Sequence, residues 1–183
     1  MSSARIAARW RRCCSRRGAR IPPPDRMRTT ALSARKLRRV LNWWPPFLFS
    51  GIRVTAISDA DMSARVELKL RWYNRNAVGA HFGGSLFAMT DPFWMLLTMR
   101  ALGSGYIVWD QAADILFVAP GRGTVTAEFR IDPATLDAIR GAAANGEKVL
   151  HWFEADVRAA DGSVVARVRK QVYVRRKRPD GGH

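Results

Sequence analysis

The chain has 183 residues, 48% of them hydrophobic, and a formal net charge of +16. That length favours one domain with extensions, and that apolar share supplies a core, which excludes a chain disordered throughout. The longest apolar stretch, residues 86–97, is interrupted by Asp91 and Pro92, so no membrane-spanning helix is expected.

Residues 1–26 hold eight arginines (5, 9, 11, 12, 16, 17, 20 and 26) against Asp25, a local charge of +7. They lack the apolar run of a secretory signal and only faintly resemble a transit peptide. A disordered basic leader over 1–28, or an over-extended start with Met27 as initiator, is the expectation. Cys13 and Cys14 fall in this leader with no other cysteine to pair with, which argues against a disulfide framework, a metal site or cysteine catalysis and fits a reducing, cytoplasmic setting.

Residues 31–44 predict a basic amphipathic helix: Leu37, Val40, Leu41 and Trp44 recur at helical spacing among Arg35, Lys36, Arg38 and Arg39, and Pro45-Pro46 stops it. The patch of Trp43, Trp44, Phe47, Leu48 and Phe49 could cap the core, line an acyl tunnel or touch a membrane surface. Residues 52–56 and 106–118 are strand candidates. Four segments alternate with period two, the mark of a sheet with one buried face: Ala64 to Trp72, Val125 to Ile131, Val149 to Val157, and Val164 to Val174, the last with Lys170 as its one misfit. Pro120-Gly121-Arg122-Gly123 and Asp161-Gly162 both read as hairpin connections. Residues 83–102, apolar nearly all round, predict a buried helix. Asp132 and Pro133 open a second, shorter one as N-cap and first residue. The cluster Arg175, Arg176, Lys177, Arg178 closes the last strand, and 179–183 form a tail.

The chemistry concentrates in residues 76–91. A glycine-bearing turn delivers the chain into a buried helix, where Gly83 and Gly84 permit close approach of a ligand and the first-turn N–H groups lack intrahelical partners. Such donors suit an oxygen that gains negative charge. Asp91 lies a little over two turns further on, and a carboxylate in an apolar helix needs a partner or a task. Asp91 reads as a catalytic acid, as an N-cap restarting the helix before Pro92, or as a ligand or interface partner. Asn76 reads equally as a turn former. His81 and, on an apolar strand face, His151 read foremost as structural histidines.

The spaced set Asn76, Gly79, Gly83, Gly84 and Asp91, with Leu86-Phe87, resembles the signature of the PaaI-like hotdog acyl-CoA thioesterases. The resemblance implies an α+β hotdog domain over 29–178, a long central helix wrapped by a curved antiparallel sheet of about six strands. It implies a homodimer or dimer of dimers, an acyl-CoA or related thioester as substrate, and no cofactor or metal. The roles it implies are oxyanion donor for Gly83, general base or nucleophile for Asp91, and positioning of the reacting atoms for Asn76. Gly84, His81, Phe82 and Arg122 become substrate-binding candidates. Phe82 stands where those enzymes carry His, and Pro92 follows the acid. The Gly-Gly and Asp-Pro-Phe pattern is closer to a variant bacterial hotdog branch known as a domain of unknown function. A non-catalytic acyl or lipid binder is the alternative. A hydroxyacyl hydratase or dehydratase, which His81-Phe82 loosely resembles, is a third reading. Nucleic-acid binding rests on charge alone and is not expected.

Overall fold

A computed structural model describes residues 32–178. The leader assigned to 1–28 with its two cysteines, and the tail at 179–183, lie outside the described residues.

In chain order the elements are α1 (Ala34–Trp43), α2 (Pro45–Ser50), β1 (Ile52–Ser58), β2 (Ser63–Lys69), α3 (Gly83–Ala88), α4 (Phe93–Leu102), β3 (Tyr106–Phe117), β4 (Thr124–Arg130), α5 (Pro133–Ala142), β5 (Lys148–Ala159) and β6 (Val164–Arg176). The six strands form one antiparallel sheet in the order β1-β2-β4-β5-β6-β3. It curls around α3 and α4, as the alternating strands and the all-round apolar helix required. Phe93 stacks on Phe129 of β4 (ring centroids 4.7 Å apart) and Trp94 on Phe153 of β5 (4.6 Å), so α4 packs against the middle of the sheet.

The buried helix over 83–102 comes as two segments with a break at 89–92. Pro92 offers no N–H to the Ala88 carbonyl and its ring crowds the preceding turn. Tighter three-residue bonds, Thr90 N–H to Phe87 O and Asp91 N–H to Ala88 O, close the end of α3 instead, and the Thr90 hydroxyl also donates to Phe87 O at 2.7 Å. α5 begins as expected: the Asp132 carboxylate accepts from Thr135 N–H at 2.8 Å and Pro133 follows. α1 begins at Ala34, capped by Ser33.

Three local expectations are corrected. Pro120 to Gly123 is not a hairpin: it links β3 to β4, which lie at the far edge and in the middle of the sheet, while Asp161-Gly162 does join neighbours. Trp72 does not share the buried face of β2. The strand ends at Lys69, and a single 3-10 turn over Trp72–Asn74 leaves Trp72 81% exposed. Pro45-Pro46 ends α1 but also opens α2, since proline suits a first turn.

Candidate active site around the α3 N-terminus

The turn before α3 is built by Asn76. Its Oδ1 accepts from the N–H groups of Val78 and Ala80, and its Nδ2 donates to His81 O. Gly79 takes φ +76° inside this turn, a conformation only glycine adopts without strain. Asn76 therefore acts on its own loop with its whole amide. Buried Asn74 does the next job, one the sequence analysis missed. Its carbonyl receives Phe82 N–H, its Oδ1 receives Arg71 N–H, and its Nδ2 donates to Ser50 O and Lys69 O, tying the turn to the end of α2 and to β2.

His81 is buried, its N–H donating to Gly121 O and its ring Nε2 lying 3.0 Å from Gly123 O. With a carbonyl opposite, Nε2 carries the proton and the ring is neutral. Burial lowers its pKa, and the Gly123 bond opposes that only in part. His81 thus holds the β3–β4 crossover against the glycine turn and faces away from open space. Arg122, in that crossover, is exposed.

Among the described residues no acceptor meets the N–H of Gly83 or Gly84. The nearest cover is aromatic. A Cβ on Gly83 would sit 2.8 Å from the Phe117 ring, and one on Gly84 would sit 2.3 Å from the Phe82 ring. A side chain at either position would have to displace those rings, which are themselves more than half exposed, so the close approach does not by itself require glycine. Phe117 is the last residue of β3, which puts that strand's end directly over the start of α3.

The Asp91 carboxylate does not cap α4, which has no side-chain cap bond. It is 54% exposed and accepts from Lys170 Nζ at 2.6 Å. Lys170 also donates to the Asp91 carbonyl and, at 3.1 Å, to Asp110 Oδ2 on β3. Its side chain is 1% exposed, so the ammonium is a buried hub joining the α3–α4 break, β6 and β3. A buried cation persists only when paired. Burial raises the Asp110 pKa, the nearby Lys170 ammonium pulls it back, and its Oδ1 is buried without a partner. The signal for this cluster was present in the sequence: one cation alone on the apolar face of β6 and one acid alone in an apolar helix. No group of three or more His, Cys, Asp or Glu placed to hold a metal occurs among the described residues. No helix among them is long and apolar enough to cross a membrane.

A sheet in this strand order curled about a buried helix, entered through a glycine pair, is a hotdog fold. Residues 34–174 match the family described as Domain of unknown function (DUF4442), and the chain belongs to that family. Solved structures agree on the fold. A Pseudomonas aeruginosa protein of unknown function, described as a probable thioesterase, is 20% identical with a TM-score of 0.72, over 80% of this chain and 97% of that one. A Haemophilus influenzae thioesterase is 15% identical with a TM-score of 0.59, over 82% and 96%. The Escherichia coli PaaI protein from the phenylacetic acid degradation operon is 18% identical with a TM-score of 0.51, over 72% and 83%. No curated protein matches the chain.

Proposed function

We propose that the protein hydrolyses acyl thioesters of the acyl-CoA kind, as a homodimer or dimer of dimers. The observation that carries this reading is the pairing of two features. The unbonded Gly83 and Gly84 amides stand at the start of α3, and the Asp91 carboxylate is half exposed and held by Lys170 rather than by its own helix. In the reaction Asp91 takes a proton from water as the oxygen adds to the thioester carbonyl. Gly83 N–H donates to the oxyanion, and the carbon–sulfur bond breaks as the thiolate leaves and regains the proton. Asn76 contributes by holding the turn, His81 by bracing it, and Arg122 by its charge near the leaving carrier. A second protomer pairing along β3 comes beside Phe117 and so beside the Gly83 turn.

A positioned base contributes about 10²–10⁴ in rate and an oxyanion donor about 10²–10³. Short, aromatic and long acyl-CoAs offered to the purified protein are expected to include a substrate, and Asp91→Asn to lose at least about 10²-fold in kcat with its fold unchanged. Absence of turnover across the panel, or full activity in Asp91→Asn, overturns the proposal. One observation favours a non-catalytic acyl or lipid binder: the Phe117 and Phe82 rings lie over the two glycines. A co-purifying acyl ligand by native mass spectrometry, without hydrolysis, would select that reading.

A further inference from the structure

We propose that the corner between α1 and α2 is a docking surface for an anionic lipid bilayer, an inference independent of the thioester reading. The corner presents two kinds of residue. Phe47 turns inward and packs near Phe93, with ring centroids 6.2 Å apart. Its neighbours do not follow it: Trp43 is 76% exposed and Phe49 77%, with Trp44 and Leu48 also outward. Large apolar side chains clustered this way on a surface mark an interaction site, and tryptophan and phenylalanine settle well at the boundary between headgroups and acyl chains.

Charge identifies the occupant. Trp43 and Leu48 line an open groove together with Tyr73, Arg53, Lys69 and Arg71, and the one acid in it is Glu67. Glu67 is itself approached by Arg65 at 3.9 Å. Among the described residues, none of Arg53, Lys69 and Arg71 has a carboxylate partner, and neither do Arg35, Lys36 and Arg39 on the outer side of α1. Arg100, Arg158 and Arg167, elsewhere on the fold, are ion-paired, while Arg122, Arg130, Lys148 and Arg175 also lack a carboxylate partner among the described residues, so what marks this corner is the coincidence of such cations with outward aromatic side chains. In the sequence, residues 1–31 immediately before α1 hold nine arginines and a single aspartate. A second copy seated here would set like charges against like in a two-fold interface. A surface of phosphate-bearing anionic headgroups neutralises them while the aromatic side chains enter the boundary layer.

The full-length protein should co-sediment with phosphatidylcholine vesicles containing about one third phosphatidylserine, and at least about tenfold less with phosphatidylcholine alone. Binding should fall as salt rises. Trp43→Ser/Phe49→Ser and Arg53→Glu/Lys69→Glu should each weaken it about tenfold. The proposal is overturned by absence of binding to the anionic vesicles. It is also overturned if the aromatic double variant binds like the parent. A smaller sedimenting mass for that variant would overturn it too, by making the corner an interface between copies.

Discussion

At the β1 edge of the sheet, Asn42 of α1 does the work of a neighbouring strand. Its Oδ1 accepts from Val54 N–H at 2.7 Å and its Nδ2 donates to Val54 O at 3.0 Å, while Arg38 donates to Thr55 O at 2.8 Å. These contacts fall where the register of β1 slips between Val54 and Ala56. At the β3 edge the opposite holds. Eleven of its twelve residues pair with β6, on one side only, and Ile107, Trp109, Leu116 and Phe117 are exposed along the strand. Folded proteins cover, charge, shorten or bulge an edge that is to stay single. One edge here is closed by α1, and the other carries a bulge at Asp110/Ala112 and the exposed charge of Asp114, yet stays long, with apolar side chains exposed toward both ends. In the proposed dimer β3 is therefore the edge on which the second copy would pair, at the strand whose end lies over Gly83.

The largest effect is expected from breaking the open edge. Ile107→Glu/Leu116→Glu should yield a monomer by sedimentation velocity with its circular dichroism retained, and turnover should fall by at least about 10²-fold. Unchanged association would remove β3 from the proposed interface. Next comes Lys170→Met, which takes away what ties β3 to the helix break. Removing one partner of a buried ion pair costs about 3–5 kcal/mol. The lower end applies, because Asp91 reaches solvent and Asp110 can take up a proton. The deficit in denaturant unfolding should grow with rising pH, as a buried Asp110 without its cation resists ionisation.

That cluster also shows how far the sequence could be read. Alternation placed β2, β4, β5 and β6, the apolar run placed α3 and α4, and Asp132-Pro133 placed α5, because each signal is local and repeats. Trp72 was misplaced because alternation continues in the letters after the strand has ended at Lys69. Pro120 to Gly123 was misread because turn chemistry reports that the chain bends, not which strand it comes to lie beside. At the site, the glycine pair and Asp91 stood out by spacing. Their surroundings did not: Lys170 is 79 residues from Asp91, and Phe117 reaches Gly83 only through the fold. Two lone opposite charges in apolar segments were the usable clue.

At the closed edge the effect should be smaller. Asn42→Ala deletes both bonds to Val54 but lets water reach part of what it uncovers. The expected loss is about 1–2 kcal/mol in denaturant unfolding, with activity unchanged. If the edge is as dependent on α1 as the geometry indicates, the variant should also show new concentration-dependent association through β1, which the open β3 edge would not explain.

The smallest effect separates what belongs to one protomer from what pairing adds. Burial holds His81 below its ordinary 6.5, and His151 is lowered for the same reason. Below pH 6.5 the unfolded chain therefore takes up protons that the folded chain resists. Stability is greatest above that value and declines as pH falls toward the folded pKa. Asp110, raised by burial, titrates in the opposite sense, so the histidine contribution is read as a difference between parent and His81→Gln. Unfolding midpoints between about pH 7 and pH 5 should fall less steeply in that variant, in which a neutral amide replaces the donor to Gly123 O. Since His81, Gly121 and Gly123 all lie within one protomer, the same slope should persist in the Ile107→Glu/Leu116→Glu monomer. Its loss there would mean that pairing along β3, and not the protomer's own packing, buries the histidine.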